Sequence, residues 1–338
     1  VIRAVARRIL TMAATLLVIS ALVFLIIKLP PGDYLSNRIA ELRGMGEAGS
    51  VAKAELLMRQ YGLDRSVPEQ YLMWVGLMPG PAGFSGLLQG DWGWSFEYDR
   101  PVAEVVGDAL WLTLVVNLAA LVFVHAVAIP AALYSATHRH TAGEVAVTAL
   151  GYVGLAVPGF LLALILLFYG NRWFGLSIGG LYDAAYTGRP WDMDKLRSLA
   201  AHLVVPTLVI GLGGTAAMIR RMRANLLDEL AKPYVVTARA KGLPPLRALV
   251  KYPFRMSLNP FVADIGNLLP HLVSGSVLVS LVLSLPTVGP LLLEALKSQD
   301  QFMAGFILMF VAALTLVGML ISDLVLVWLD PRIRMGRR

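Results

Sequence analysis

Cysteine is absent from the 338 residues, and that removes disulfide frameworks, thiolate metal sites and cysteine nucleophiles together. Charge is scarce as well. Only 15% of the residues are Asp, Glu, Lys or Arg, against about 25% in soluble globular chains. No Gly is followed directly by Lys, so the G-x-x-x-x-G-K-[ST] loop that cradles nucleotide phosphates is missing. No H-E-x-x-H, EF-hand or paired-Cys pattern occurs either. A chain with these gaps is expected not to be an enzyme, and to hold no cofactor and no metal of its own. What it has instead is hydrophobe: 57% of the residues are apolar, which puts it in the membrane class.

The apolar residues fall into six runs, about 9–29, 109–134, 145–169, 198–219, 261–285 and 302–329. Each is long enough, at about 1.5 Å per residue, to cross a hydrocarbon layer of about 30 Å. The expectation is an all-α membrane protein with six transmembrane helices in a single domain, 1–338. Arg3, Arg7 and Arg8 before the first run would also suit a signal peptide. That run, however, exceeds a usual h-region of about 7–15 residues, and no A-x-A-like site follows it. Pro130, Pro158, Pro206 and Pro270 lie inside runs and predict kinks, which a bundle tolerates because neighbouring helices re-satisfy freed carbonyls.

A pI near 9.7 could point to nucleic acid, but the basic residues divide by side. The N-terminus, the loop near Arg139, the segment 220–260 and the C-terminus hold 17 Lys and Arg against four acids. The long segment 30–108 with its flanks and the loops after Tyr169 and Leu285 hold 12 against sixteen. By the positive-inside rule the first group is cytoplasmic, so both termini face the cytoplasm and 30–108 is a large extracytoplasmic loop.

That loop predicts a helix from Val51 to Tyr61, with Ser50 as N-cap, Ala54, Leu57 and Tyr61 on one face, and Gly62 as the stop. The aromatic tract LLQGDWGWSF follows, from Leu87 to Phe96. Trp92, Trp94 and Phe96 suit anchoring at the headgroup level. Alternatively the tract, with Gly90, Asp91, Trp92, Gly93 and Trp94 at its centre, is a docking surface for an external partner.

His125, His202 and His271 lie within apolar runs, where an ionisable group is a functional candidate by default. Their spacing brings no carboxylate onto a shared helical face, so packed neutral histidines are expected rather than a proton relay. Asp264 and Asp323 read as interfacial residues near the ends of spans. The segment Lys232 to Pro260 is more informative. Pro233 suits a first helical turn and Gly242 the left-handed residue past a helix end, which predicts a short helix from Pro233 to Lys241; Pro244 and Pro245 forbid its continuation. Ordinary attraction of Arg and Lys to anionic lipid explains the charge of this segment, but not a capped helix with Ala238 and Ala240 set between Arg239 and Lys241.

Residues 234–243, YVVTARAKGL, closely resemble the coupling motif, or EAA loop, of binding-protein-dependent ABC importer permeases, in the form of the dipeptide/oligopeptide branch. LPPGDYL from Leu29, YGLDRSVPEQYLMW from Tyr61, LLQGDWGWSF from Leu87, RRMRANLLDEL from Arg220 and LDPRIR from Leu329 agree in order along almost the whole chain. The resemblance implies a type I importer transmembrane fold in a bacterial or archaeal plasma membrane. It implies a second permease subunit, two cytoplasmic ATPase subunits that carry ATP and Mg, and an extracytoplasmic solute-binding protein. It assigns ATPase coupling to Tyr234, Thr237, Ala238, Arg239, Ala240, Lys241, Gly242 and Leu243. Small residues at Ala238, Ala240 and Gly242 allow close approach, and Arg239 and Lys241 can pair with acids.

The chain departs from the family's usual residues at Tyr252, at Arg255 with Met256, at Ser280 and at LSLPTVG, Leu283 to Gly289. The implied substrate class is therefore wide: peptide-like solutes, oligosaccharides, opines or nickel chelates. Read without the resemblance, the six runs equally allow an ATP-independent channel, a proton-coupled carrier or a membrane scaffold. Spans four to six, with Gly211, Gly213 and Gly214, are the expected pathway walls, without individual lining side chains.

Overall fold

The computed structural model describes residues 2–45, 48–81, 83–175 and 178–329, and within these it leaves undescribed the side chains at 2–5, 48, 174, 260, 263, 264, 266, 267, 269–272 and 328. The expectations for Asp264, His271 and the 330–334 motif therefore lie outside the described residues. The chain is predominantly helical. In order come α1 (Ile2–Lys28), α2 (Tyr34–Gly44), α3 (Ala48–Gln60), α4 (Val67–Val75), β1 (Trp94–Ser95), β2 (Arg100–Pro101), α5 (Val102–Thr137), α6 (Ala142–Ala156) and α7 (Gly159–Phe174). Then follow α8 (Met193–Leu230), α9 (Pro233–Ala240), α10 (Pro245–Leu249), α11 (Arg255–Ser257), α12 (Asn259–Val282), α13 (Val288–Ser298) and α14 (Gln301–Leu329).

Among the described residues, four helices are long and apolar enough to cross a membrane: residues 6–28 of α1, then α5, α8 and residues 301–327 of α14. The run 145–169 is not one straight helix. Val157 is extended before Pro158, as a pre-proline residue should be, and α6 and α7 meet there at 96°, the geometry of a broken span or of a re-entrant pair. Pro130 and Pro206 instead lie inside the continuous α5 and α8. α8 also runs past the expected end at Ile219 to Leu230, because Met218, Met222 and Leu226 go on burying one stripe after the apolar composition stops.

Contacts within the chain group into two compact units. Unit 1 comprises residues 1–111 and 290–313. Its core gathers Leu35, Leu63 and Phe96 with Tyr34, Leu57, Tyr61 and Phe302, and a second cluster joins Phe24, Trp74 and Val75. The helix expected from Val51 begins instead by Ala48, so Ser50 lies within its first turn rather than capping it. Its burial pattern is as expected: Ala54 is buried, Leu57 and Tyr61 pack on the cluster, and Gly62 at φ +66° ends the segment.

Unit 2 comprises residues 112–289 and 314–338. Along α5, Leu112, Val116, Ala120, Val124, Ala128 and Ala132 recur every fourth residue and are almost wholly buried. Three alanines in that stripe let α8 and α12 side chains approach the α5 backbone closely. Leu118 and Val122, on other faces of the same helix, are each 59% exposed. Large apolar side chains displayed this way suit lipid as the surrounding solvent.

Candidate functional site

The segment singled out in the sequence folds as expected to within one residue. Lys232 is extended, Pro233 takes the first helical position, and α9 ends at Ala240. Gly242, at φ +82°, donates to the Arg239 carbonyl at 2.9 Å while Leu243 donates to that of Ala238 at 3.2 Å. These two bonds make a Schellman stop, which satisfies carbonyls that a helix end otherwise leaves unpaired.

α9 is held to its own chain at both ends. Lys232 Nζ lies 2.5 Å from Glu229 Oε1, and the Tyr234 hydroxyl donates to the other oxygen of the same carboxylate. The Tyr234 and Tyr252 rings meet edge to face at 6.3 Å. Val235 and Ala238 are buried, and α9 packs on α10, where Ala248 is buried too. Ala238 thus faces the chain's own side, leaving Ala240 and Gly242 as the small residues an external partner could approach. Val236, Thr237, Arg239, Ala240 and Lys241 form the outward surface. No acid among the described residues pairs with Arg239 or Lys241.

The outer tract is built differently. Gly90 and Gly93 take φ of +78° and +84°, and a Cβ on Gly93 would come within 2.7 Å of the Phe302 ring. The Asp91 carboxylate accepts from Gly93 N at 2.9 Å and from the Ser85 hydroxyl. Its aromatic residues are used for packing rather than display: Trp92 stacks on Phe306 at 4.0 Å between centroids, Trp94 pairs with Pro101 in the small hairpin, and Phe96 is buried. Gly90 and Asp91 remain exposed.

Sequence reasoning missed Asp300. It is wholly buried, takes the Ser95 hydroxyl at 2.6 Å, and caps the start of α14 through the Met303 N–H at 3.2 Å. An Asp just before a long apolar run was the local signal for that cap. His125 and His202 are packed, each bonded through Nδ1 to the carbonyl four residues earlier, both at 2.8 Å. A carboxylate does approach His202, with Asp183 Oδ1 3.6 Å from its Nε2, but it comes from the loop before α8 rather than from a span. Asp323 is half-buried near the end of α14.

Two family descriptions cover nearly the whole chain. "Binding-protein-dependent transport system inner membrane component" matches residues 128–335, and "Binding-prot-dependent transport system membrane comp, N-term" matches residues 1–119. The chain belongs to this family. The oligopeptide transport system permease protein AppB of Bacillus subtilis is 30% identical over 97% of the chain and 98% of its own length. The dipeptide transport system permease protein DppB of Escherichia coli is 28% identical over 97% of each. The glutathione transport system permease protein GsiC of Pectobacterium atrosepticum is 29% identical, again over 97% of each. As a multi-pass member of an inner-membrane component family, the chain is a transport permease subunit, a class that is not itself catalytic.

Proposed function

We propose that the chain forms half of the solute pathway of an ATP-driven, binding-protein-dependent importer of peptide-like solutes, and that α9 is where ATPase motion enters it. The observation that carries this reading is the form of α9: a Pro-started, Schellman-stopped helix clamped to the last turn of α8, with Val236, Arg239 and Lys241 turned outward. Because α8 is continuous from Met193 to Leu230, about 57 Å, displacement at its α9 end is delivered along one rod into the membrane. Tyr234 and Leu243 position the helix, and Thr237, Ala240 and Gly242 permit close approach by an ATPase subunit that carries ATP and Mg. Gly90 and Asp91 are the exposed part of the docking tract for a solute-binding protein.

In this reading the chain crosses the membrane six times with both termini cytoplasmic, and α12 supplies the fifth crossing. A groove of about 1290 Å³ in unit 2, lined from α6, α8 and α12, supports a pathway or permease interface there. Among the described residues its wall is apolar apart from Thr215, Ser274 and Arg221, and α6 buries none of its own residues within the chain. The names of the relatives support a peptide-like solute. Reconstitution with a second permease subunit, two ATPase subunits and a binding protein tests the proposal. Uptake of a labelled dipeptide should require ATP and persist with a protonophore. Gly242→Trp should abolish uptake and substrate-stimulated hydrolysis while leaving membrane insertion intact. Uptake that survives without ATP but collapses with the proton gradient would establish a secondary carrier instead.

A further inference from the structure

Between α7 and α8, residues 178–192 of unit 2 form a largely irregular segment that touches the ends of two helices. Its root is apolar: Ile178 and Leu181 are buried with Leu199 of α8 and with Leu283 and Leu285 just past α12. Gly180 N also donates to the Leu283 carbonyl at 2.8 Å. Beyond the root the segment is polar, and from Asp183 to Pro190 every residue except Tyr186 is exposed. Three buried residues of α8 hold it: Lys195, Ser198 and His202. Spacings of three and four put them on one face of the helix.

Lys195 Nζ donates to the Arg189 carbonyl at 2.9 Å and lies 4.7 Å and 4.5 Å from the ring centroids of Tyr182 and Trp191, a cation on two aromatic faces. Ser198 Oγ donates to Asp183 Oδ2 and accepts from Asp183 N, both at 2.9 Å. His202 is different. Its Nδ1 lies 2.8 Å from the Ser198 carbonyl, which can only accept, so Nδ1 carries a hydrogen and the neutral ring presents a lone pair at Nε2. Asp183 Oδ1 faces that lone pair at 3.6 Å. Two acceptors therefore oppose each other, and no hydrogen-bond partner among the described residues reaches Nε2. One added proton converts the opposition into a charge-assisted bond, whose ordinary length is about 2.8 Å. The Asp183 side chain is 53% exposed, so a proton reaches the buried ring through the carboxylate.

The other charges on and around α8 are engaged elsewhere. Asp194 and Arg197 pair with each other at 3.6 Å in solvent, Asp192 accepts from Lys195 N at 2.8 Å, and the Arg189 guanidinium lies over Tyr186. From α6, Glu144 is bonded to Arg223 towards the far end of α8, and Tyr152 is exposed; from α7, Tyr169 and Arg172 are exposed. Residues 250–257, with Lys251, Tyr252 and Arg255, pack towards that far end as well. Residues 112–124 of α5 and 273–289 contain no titratable side chain. We propose that Asp183 and His202 form a proton-binding site that straps residues 183–190 onto α8 when occupied and releases them when empty. Imidazole exchanges its proton near neutrality, so falling pH closes the strap and rising pH opens it. Because the root is bonded to the end of α12, the proton decides how firmly that end is tied to α8. Where these helices wall a solute path, as proposed above, the strap limits how far their ends part; the proton site itself does not rest on that reading.

The test uses the purified full chain in detergent with a nitroxide on a single cysteine, Ala185→Cys, at an exposed position of a chain that has no cysteine of its own. Label mobility and imidazole nitrogen NMR spectra are followed from pH 5 to pH 8. The label's correlation time should lengthen about twofold or more from pH 8 to pH 5, with the midpoint at which His202 Nε2 takes its proton, while Nδ1 keeps its hydrogen throughout. Asp183→Asn can donate from Nδ2 to the neutral Nε2, so it should hold the label at pH 8 as firmly as the parent does at pH 5. His202→Phe should leave the label mobile at both pH values and identify the His202 signals by their loss. Lys195→Met should loosen the label at both and keep the pH step, which separates that contact from the proton. Mobility independent of pH in the labelled parent would overturn the proposal, as would a His202 that stays neutral at pH 5 or a full pH step in His202→Phe. The pH series of the labelled parent decides the matter even if a variant fails to fold.

Discussion

A carboxylate as deeply buried as Asp300 has to be surrounded by donors or neutralised. Asp300 has donors: Ser95 Oγ at 2.6 Å, Met303 N at 3.2 Å and Glu97 N at 3.3 Å. Burial nevertheless outweighs them and pushes its pKa above the usual carboxylate value. The folded chain therefore holds this proton more tightly than the unfolded chain. Stability from Asp300 is fully present below about pH 4 and is lost as pH rises through the elevated pKa. Glu69 works in the opposite sense. Ser66 donates to it from Oγ at 2.7 Å and from N at 3.0 Å, which holds its pKa down, so its contribution is present above the ordinary value and lost as pH falls through the lowered one. Asp300→Asn keeps Oδ1 as the acceptor for the cap and gives Ser95 a donor, but turns Nδ2 toward the Glu97 N–H, which loses its acceptor. It should lose clearly less stability at pH 8 than Asp300→Ala and flatten the profile between pH 4 and 8. Asp300→Ala leaves a buried hydroxyl and two N–H groups without their acceptor and should cost roughly 2–4 kcal/mol. Thermal unfolding in detergent at pH 5 and pH 8 separates the two variants; equal losses at pH 8 would contradict the assignment.

For the elements, the decisive question is whether the signal that shapes each one is local. α9 is local throughout: Pro233 sets its start, Gly242 its stop, and Pro244 with Pro245 prevents extension, so its bounds were legible in the sequence. Nothing lies within 4 Å of a Cβ built on Gly242, so Gly242→Ala meets no clash and pays only for the left-handed backbone. The expected cost is about 1 kcal/mol, read as faster amide exchange at Gly242 and Leu243 with α8 unchanged. Slow exchange equal to that of the parent would mean that the Schellman bonds do not hold the helix end. Other features depend on tertiary burial. The Arg220, Arg221, Arg223 cluster ends hydrophobicity but not helicity, because Met222 and Leu226 remain buried, and α8 runs on. α13 was hidden in an expected loop, although Val288 and Ala295 bury one side of it. The break at Pro158 was legible as a kink but not as a 96° turn. Within the candidate site the residues were legible and their directions were not, since only packing on α10 reveals that Ala238 faces inward. The pairing of Asp183 with His202 left no sequence signal, because Asp183 lies outside α8 and no helical period links the two.

For the whole molecule, the number of crossings decides which surfaces ever meet. Among the described residues, length and composition give four spans, or five with α6 and α7 taken as one. Five would put the termini on opposite sides of the membrane. Both termini are cytoplasmic only if α12 crosses too, and its 24 residues, about 36 Å, are enough for that. The lack of cysteine makes the question accessible, because single cysteines can be placed without background labelling. Leu246 precedes α12 and is 69% exposed; Leu296 follows it and is 49% exposed. Under the proposed topology, Leu296→Cys reacts with a membrane-impermeant maleimide in intact cells, and Leu246→Cys reacts only after permeabilisation. Leu88→Cys in the outer loop should behave like Leu296→Cys, and Val236→Cys on α9 like Leu246→Cys, which calibrates each side independently. Labelling of 246 and 296 from the same side would make α12 re-entrant. The pathway would then lose its fifth crossing, and the split of 17 basic residues from 12 would no longer describe two faces of the membrane. Opposite labelling leaves α9 on the side where a cytoplasmic ATPase can reach it, and Gly90 and Asp91 on the side where a solute arrives.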